Sequence, residues 1–354
     1  MKKLIALFVS AFVIFAGTMA FAKEPAQKVQ MLPVFSADAS SADRLWVGTF
    51  QLVWNDFMDN VLRGPVIFKK EKSKLAQELN KQTFKKEMLS ENSYYTAYGR
   101  TSLELKEQIE KAIYEKFNEK SELLDKINWN DPNNAYLMYA MLKKDFKFLT
   151  KFDILTAEKF NNSKQKVDYF GIKKTSSPAL YNSVNVLFYN SPFDYAVSLQ
   201  SENDEVILYR TNTKKTFDKV YRTLNKKADK YKGEKKFVAG DKLQVPFMTF
   251  KNYTNYDELC NKEIKNKATK ERLYIAQAMQ TADFNMNNTG VKLKSEAVMN
   301  VMTMSMPLAV KQKGRNLYFN KTFYLFMKEK GKSMPYFALR VNDMDLYKYQ
   351  GEVK

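Results

Sequence analysis

The chain has 354 residues, 45% of them hydrophobic, and a formal net charge of +19 from 58 Lys and Arg against 39 Asp and Glu. That supplies enough apolar material for a large core, while the complete absence of His excludes Ser-His-Asp and Cys-His hydrolysis, His-ligated zinc and the usual general base. The single Cys, Cys260, excludes an intramolecular disulfide, and in YDELCNKEI it reads as a buried helix residue rather than a nucleophile.

Residues 1–22 read as a secretory signal peptide. Lys2 and Lys3 precede an apolar run from Leu4 to Ala16, and Ala20-Phe21-Ala22 offers a small-residue cleavage site, with the cut predicted after Ala22. The apolar run is too short for a comfortable membrane span, and no later stretch is apolar enough for one. The mature protein is expected to be secreted or periplasmic. Removing the two leader lysines from the formal +19 leaves +17, which favours polyanions met after export, such as an anionic glycan or a cell-surface polymer, over nucleic acid. The lysines are spread along the chain, so a merely solvated surface accounts for the excess equally well.

Residues 23–42 are polar, contain Pro25 and Pro33, and read as a flexible leader. Asp43 is placed to cap a helix in which Leu45, Phe50, Val53, Trp54, Phe57, Met58 and Val61 recur at helical spacing. A Lys/Glu-rich helix is expected from about Glu71 to Leu89, and another amphipathic helix from Leu103 to Ile127 ends at the turn signal Asn128-Trp129-Asn130-Asp131-Pro132. From Val167 the pattern changes. VDYFGI, VNVLFYN, FDYAVSLQ and DEVILYRT are short, rich in Tyr and Val, and separated by Ser, Asn and Pro, as strands are. A helix follows over Lys214 to Tyr231, then a strand at Leu243 to Phe250, a short helix at Tyr256 to Ile264 and a strand at Leu273 to Met286. No repeat or domain-scale linker divides the chain, which fits one interwoven α+β domain.

The most informative stretch begins at Gly290. Val291, Leu293, Ser295, Ala297, Met299 and Val301 alternate with Lys292, Lys294, Glu296 and Asn300, the period of a half-buried strand. It runs into Met-Thr-Met-Ser-Met-Pro and a polar, basic segment from Lys311 to Arg315. A long segment of this kind in a compact chain is usually functional or disordered. The next residues, Phe319-Asn320-Lys321-Thr322-Phe323, open a hairpin ending near Asp343.

Taken together, these residues resemble the serpins, protease inhibitors that work by loop insertion, in a divergent and shortened form of bacterial type. In that family the reactive loop leaves a strand at a Gly hinge, exposes a scissile bond fourteen residues later, and returns through a hairpin close to FNKPFxFxM. Fourteen residues from Gly290 is Met304, followed by Ser305, Met306 and Pro307. The resemblance is strongest after Val245 and thin before Asn133. It implies a single serpin-like α+β domain over 43–354, with a large mixed or antiparallel main sheet, smaller sheets and surrounding helices, and a reactive loop over about 290–315.

The resemblance further implies a protein that is not an enzyme and needs no cofactor. Its partner would be a serine or cysteine protease that cuts at Met304 and Ser305, of elastase-like or chymotrypsin-like specificity given the apolar, unbranched Met. Gly290, Val291, Leu293, Ser295, Ala297, Met299 and Val301 would then form the hinge and inserting strand. Val291 and Leu293 stand where inhibitory members carry Thr and a small residue, which leaves inhibition and service as a substrate or binding loop both open. Two other classes are weighed. A non-inhibitory carrier on the same fold would use a basic face, for which Lys69, Lys70, Lys72, Lys74 and Lys81 are candidates. A Cu(I)-binding protein would use Met299, Met302, Met304 and Met306 as thioether ligands, although core filler or bait is the commoner use of such a run.

Overall fold

The computed structural model describes residues 29–129, 135–161, 163, 165–268, 271–293 and 314–347. In chain order, β1 (Gln30–Leu32) and β2 (Arg44–Val47) pair in parallel and lead into α1 (Thr49–Asp56), which continues as a wider π turn over Phe57–Leu62. Next come α2 (Lys74–Leu79), β3 (Tyr94–Arg100), α3 (Leu103–Phe117), β4 (Tyr136–Leu142) and β5 (Lys144–Lys147). The strand-rich middle gives β6 (Asp153–Lys159), β7 (Lys166–Ile172), β8 (Val184–Ser191), β9 (Asp194–Gln200) and β10 (Asp204–Arg210). After α4 (Phe217–Lys230) follow β11 (Lys242–Pro246), β12 (Met248–Asn255), and the short pair β13 (Glu263–Ile264) and β14 (Leu273–Tyr274). The chain then forms β15 (Met279–Met286), β16 (Gly290–Leu293), β17 (Asn316–Tyr318), β18 (Phe323–Glu329) and β19 (Phe337–Val341).

The largest sheet has seven strands in the order β1-β2-β19-β18-β10-β9-β8. Its centre is the hairpin expected from Phe319 onward. YLFM in β18, VILY in β10 and all of β19 are buried without alternation, as strands covered on both faces must be. Phe35, Trp46, Phe217 and Phe326 pack over one another on this sheet, so α4 lies on it through Phe217, Val220, Tyr221 and Leu224. A second sheet, β17-β11-β7-β6, and a third, β12-β15-β16-β5, share the same core. The architecture is α+β, with one large mixed sheet and smaller ones.

Several elements differ from expectation for reasons visible in the structure. The segment Val29 to Phe35, expected within a polar leader, is packed, and β1 lies along β2. Asp43 caps no helix. Its carboxylate instead accepts from the backbone of Asn342 and Asp343 and from the Tyr347 hydroxyl, and burial raises its pKa. The Lys/Glu-rich helix is cut to α2 because Asn80 is engaged elsewhere. Its side chain exchanges hydrogen bonds with the backbone of Val66 (2.9 and 3.2 Å) and accepts one from the Trp54 indole (3.0 Å). The expected strand Leu243 to Phe250 is two, since the chain leaves one sheet at Pro246 and enters another at Met248. Cys260 is buried, but it follows a single 3-10 turn rather than lying in a helix. Among the described residues no helix is long and apolar enough to cross a membrane.

Candidate functional site

The strand that leads to the bait-like stretch is β15, whose alternating Gln280, Ala282, Phe284 and Met286 are buried. It turns at Asn287-Asn288-Thr289-Gly290. The Asn287 carboxamide oxygen accepts from the Thr289 amide (2.8 Å), the Thr289 hydroxyl (2.6 Å) and the Gly290 amide (3.2 Å), and the Asn287 amide donates to the Gly290 carbonyl (3.0 Å). Buried Asn288 fixes the turn to its neighbour through both backbone and side chain, donating to the Phe152 carbonyl at 3.1 Å and accepting from the Phe152 amide at 2.9 Å.

Beyond the turn, β16 is seated as a strand between two others. It pairs antiparallel with β15 (Met286 with Val291, Asn285 with Lys292) and antiparallel with β5 (Gly290 with Lys147 through Leu293 with Lys144). β15 and β5 therefore run parallel, one strand apart. Val291 is fully buried against the core, as its alternation requires.

Below this seat the flanking strands continue, and among the described residues no strand lies between them. Among the described residues, β4 prolongs the line of β5 and pairs only with β3, while the length of β15 from Met279 to Phe284 pairs only with β12. The facing edges border two cavities. One of about 160 Å³ lies among Tyr139 to Lys143, Met279 to Asp283 and the α1 residues Phe50 and Val53. A larger one of about 440 Å³ lies among Tyr136 to Ala140, Leu273 to Met279 and Phe50, Val53, Trp54 and Phe57. The slot is thus floored by α1 and its π turn. Alternation in β4 gives the slot two faces. Leu137, Tyr139 and Met141 pack with Ile109, Ile113 and Phe117 of α3, whereas Tyr136, Met138, Ala140 and Leu142 pack on the α1 side. Burial beneath α3 pushes the Tyr139 hydroxyl up to about 12.

The far end of the same chain segment is clamped. Arg315 donates from its amide (2.7 Å), Nε (3.1 Å) and Nη2 (2.6 Å) to Asp241, and to the carbonyls of Glu234 (2.5 Å) and Lys236 (2.6 Å). Hydrogen bonding to Asp241 raises the guanidinium pKa even though burial acts to lower it. From there β17 runs parallel to β11.

Of the residues singled out in the sequence, Gly290, Val291 and Leu293 form β16. Ser295, Ala297, Met299, Val301, Met302, Met304, Ser305 and Met306 lie outside the described residues. Lys69, Lys70, Lys72, Lys74 and Lys81 are all exposed, but only Lys74 falls within α2, so they do not share one helix face. Lys69 pairs with Glu263 and Lys81 with Glu78, each at 2.5 Å. Sequence reading missed the Arg315–Asp241 clamp and a buried cluster of Lys144, Asp204 and Glu329. No local pattern marks either, since the partners come from distant strands.

No protein-family model matches the chain, and no curated protein matches it. Among solved structures, Serpin48 of the insect Tenebrio molitor matches at 12% identity over 78% of this chain and 72% of that one, with a TM-score of 0.42. The solved structures similar to this chain include serpins. Mouse protein-Z dependent protease inhibitor matches at 15% identity over 68% of this chain and 63% of its own, TM-score 0.43. Thyroxine-binding globulin in complex with thyroxine matches at 13% over 68% and 64%, TM-score 0.42. In the latter two, less than two thirds of the other chain is spanned. The case for a function rests on the seat and the slot.

Proposed function

We propose that this chain is a secreted serpin-like protein, exported by the signal at residues 1–22, and that the segment from Gly290 to Arg315 is a bait loop for a protease. The protease's nucleophilic oxygen or sulfur attacks the Met304 carbonyl carbon. The bond from that carbon to the Ser305 nitrogen breaks, the Ser305 amine leaves with a proton, and Met304 is held as an acyl-enzyme. The freed arm then extends β16 along the slot, carrying the protease with it.

The observation that carries this reading is that β16 already sits between β15 and β5 while the next lengths of β15 and β4 pair across their facing edges with no other strand among the described residues. Continuing the antiparallel register brings Ser295 opposite Leu142 and Ala282, Ala297 opposite Ala140 and Gln280, and Met299 opposite Met138 and Ala278. The same alternation that buries Val291 turns these side chains toward α1. Burying Met299 and Val301 contributes about 3–6 kcal/mol as an upper bound. About eight residues of new ladder at about 1 kcal/mol per hydrogen bond contribute a similar amount or more. Both terms favour insertion once the loop is cut, and neither is realised while both ends are anchored.

The test is incubation of the mature protein with elastase-type and chymotrypsin-type proteases, followed by denaturing electrophoresis and mass spectrometry. A complex that survives denaturation, with the cut after Met304, supports a working inhibitor. A cut at Met304 without complex identifies a substrate loop whose insertion, slowed by Val291 and Leu293, loses to deacylation. Absence of any preferred cut between Gly290 and Arg315 sinks the bait-loop reading.

A further inference from the structure

At the point where β16 ends and the slot begins stands a buried charge cluster that the proposed mechanism has not used. Asp204, first in β10, and Glu329, last in β18, lie directly opposite each other in the seven-stranded sheet. Two facing carboxylates destabilise a strand pair unless a cation intervenes. Lys144 supplies it, with Nζ 2.5 Å from Glu329 and 3.1 Å from Asp204, all three side chains being 6–7% exposed. Lys144 is also the β5 residue paired with Leu293, the last residue of the seated strand. The second negative charge is met by dipoles. Glu329 accepts from the Ser90 amide (2.9 Å) and from the hydroxyls of Ser90 (3.0 Å) and Ser93 (2.9 Å), and Asp204 from the Tyr336 hydroxyl (2.9 Å).

The members divide between two bodies. Ser90, Ser93 and Lys144 belong to the layer of β3, β4 and β5 that walls one side of the slot, and the Lys143 amide donates to the Ser93 carbonyl within it (2.8 Å). Asp204, Glu329 and Tyr336 belong to the seven-stranded sheet beneath. A fully satisfied buried network holds two bodies in one register, and opening it leaves charges without partners. We infer that this cluster is a clasp that holds the β3-β4-β5 layer against the large sheet and so sets how readily the slot widens for a strand. The effect on insertion rests on the bait-loop reading. The clasp itself is a statement about the intact fold.

The experiment compares the intact protein with the triple variant Lys144→Met, Asp204→Asn, Glu329→Gln, which removes all three charges together and so leaves no buried charge unpaired. Amide hydrogen exchange of β4 and β5 is expected to quicken at least tenfold, with β10 and β18 unchanged. Uptake of a synthetic peptide of sequence SEAVMNV, residues 295–301, is expected to quicken by a similar factor. Glu329→Gln alone, milder should the triple variant fold poorly, is expected to quicken exchange about threefold. Exchange in β4 and β5 at the wild-type rate in a folded variant overturns the clasp. If exchange quickens while neither protein takes up the peptide, the clasp stands and the insertion reading falls.

Discussion

Gly290 lies so close to Phe146 that a Cβ added to it would stand 2.1 Å from the Phe146 carbonyl oxygen. The contact is backbone against backbone, and no side-chain movement relieves it. Gly290→Ala is therefore expected to push β16 off β5 and lower the unfolding free energy of the intact protein by about 1–3 kcal/mol. Urea titration measures this, and an unchanged midpoint would mean that β16 is not seated on β5.

Val291 carries the inward face of that short strand. Val291→Asp places a charge in a fully buried position with no partner, and a loss of about 3 kcal/mol or more is expected. The half-buried neighbour on the opposite face, Lys292, is expected to lose far less on Lys292→Gln, which serves as the control. Equal effects of the two substitutions would show that the alternation does not continue into β16.

The other anchor is electrostatic. Arg315→Ala leaves the Asp241 carboxylate, 1% exposed, without its counter-ion. Removing one partner of such a buried pair costs about 3–5 kcal/mol. Arg315→Lys keeps the charge but loses the fork that also reaches Glu234 and Lys236, so its loss should be intermediate. Denaturant unfolding of both variants checks the order.

Acid should weaken the attachment of the loop around Lys69. The Lys69 ammonium and the Arg272 guanidinium hold the Glu263 carboxyl at about 2, against an ordinary 4.5. Because the folded value is the lower one, the stabilisation is complete above pH 4.5 and is lost as the pH falls toward 2. Melting curves at pH 5 and pH 2.5 should show that Glu263→Gln removes part of the acid sensitivity. The effect is small, since the pair is exposed to solvent.

Much of the fold was legible where periodicity and burial agree. The strands β7 to β10, the helices α3 and α4 and the hairpin of β18 and β19 fall where alternation or helical spacing places them, and the inward face of Val291 was read correctly from the two-residue period. The failures share a cause in contacts between distant residues. Nothing local reports that Asn80 will be drawn to Val66 and Trp54 and stop α2, or that Phe247 marks a change of sheet. The same holds for the polar clusters. Lys144 meets Glu329 across 185 residues of sequence and Asp204 across 60, so only the assembled strands reveal them. The slot is also invisible in sequence, because it consists of pairing that β4 and β15 do not make among the described residues.

The central claim is that the slot between β4 and β15 receives residues 294–301 once the bait bond is cut. Its most direct test is the melting temperature of the mature protein before and after limited cleavage at Met304–Ser305, with both fragments retained. Insertion is expected to raise the melting temperature by 10 °C or more, as on the order of 10 kcal/mol of ladder and burial is added to a chain of this size. A cleaved protein that melts at or below the temperature of the intact one would contradict the account.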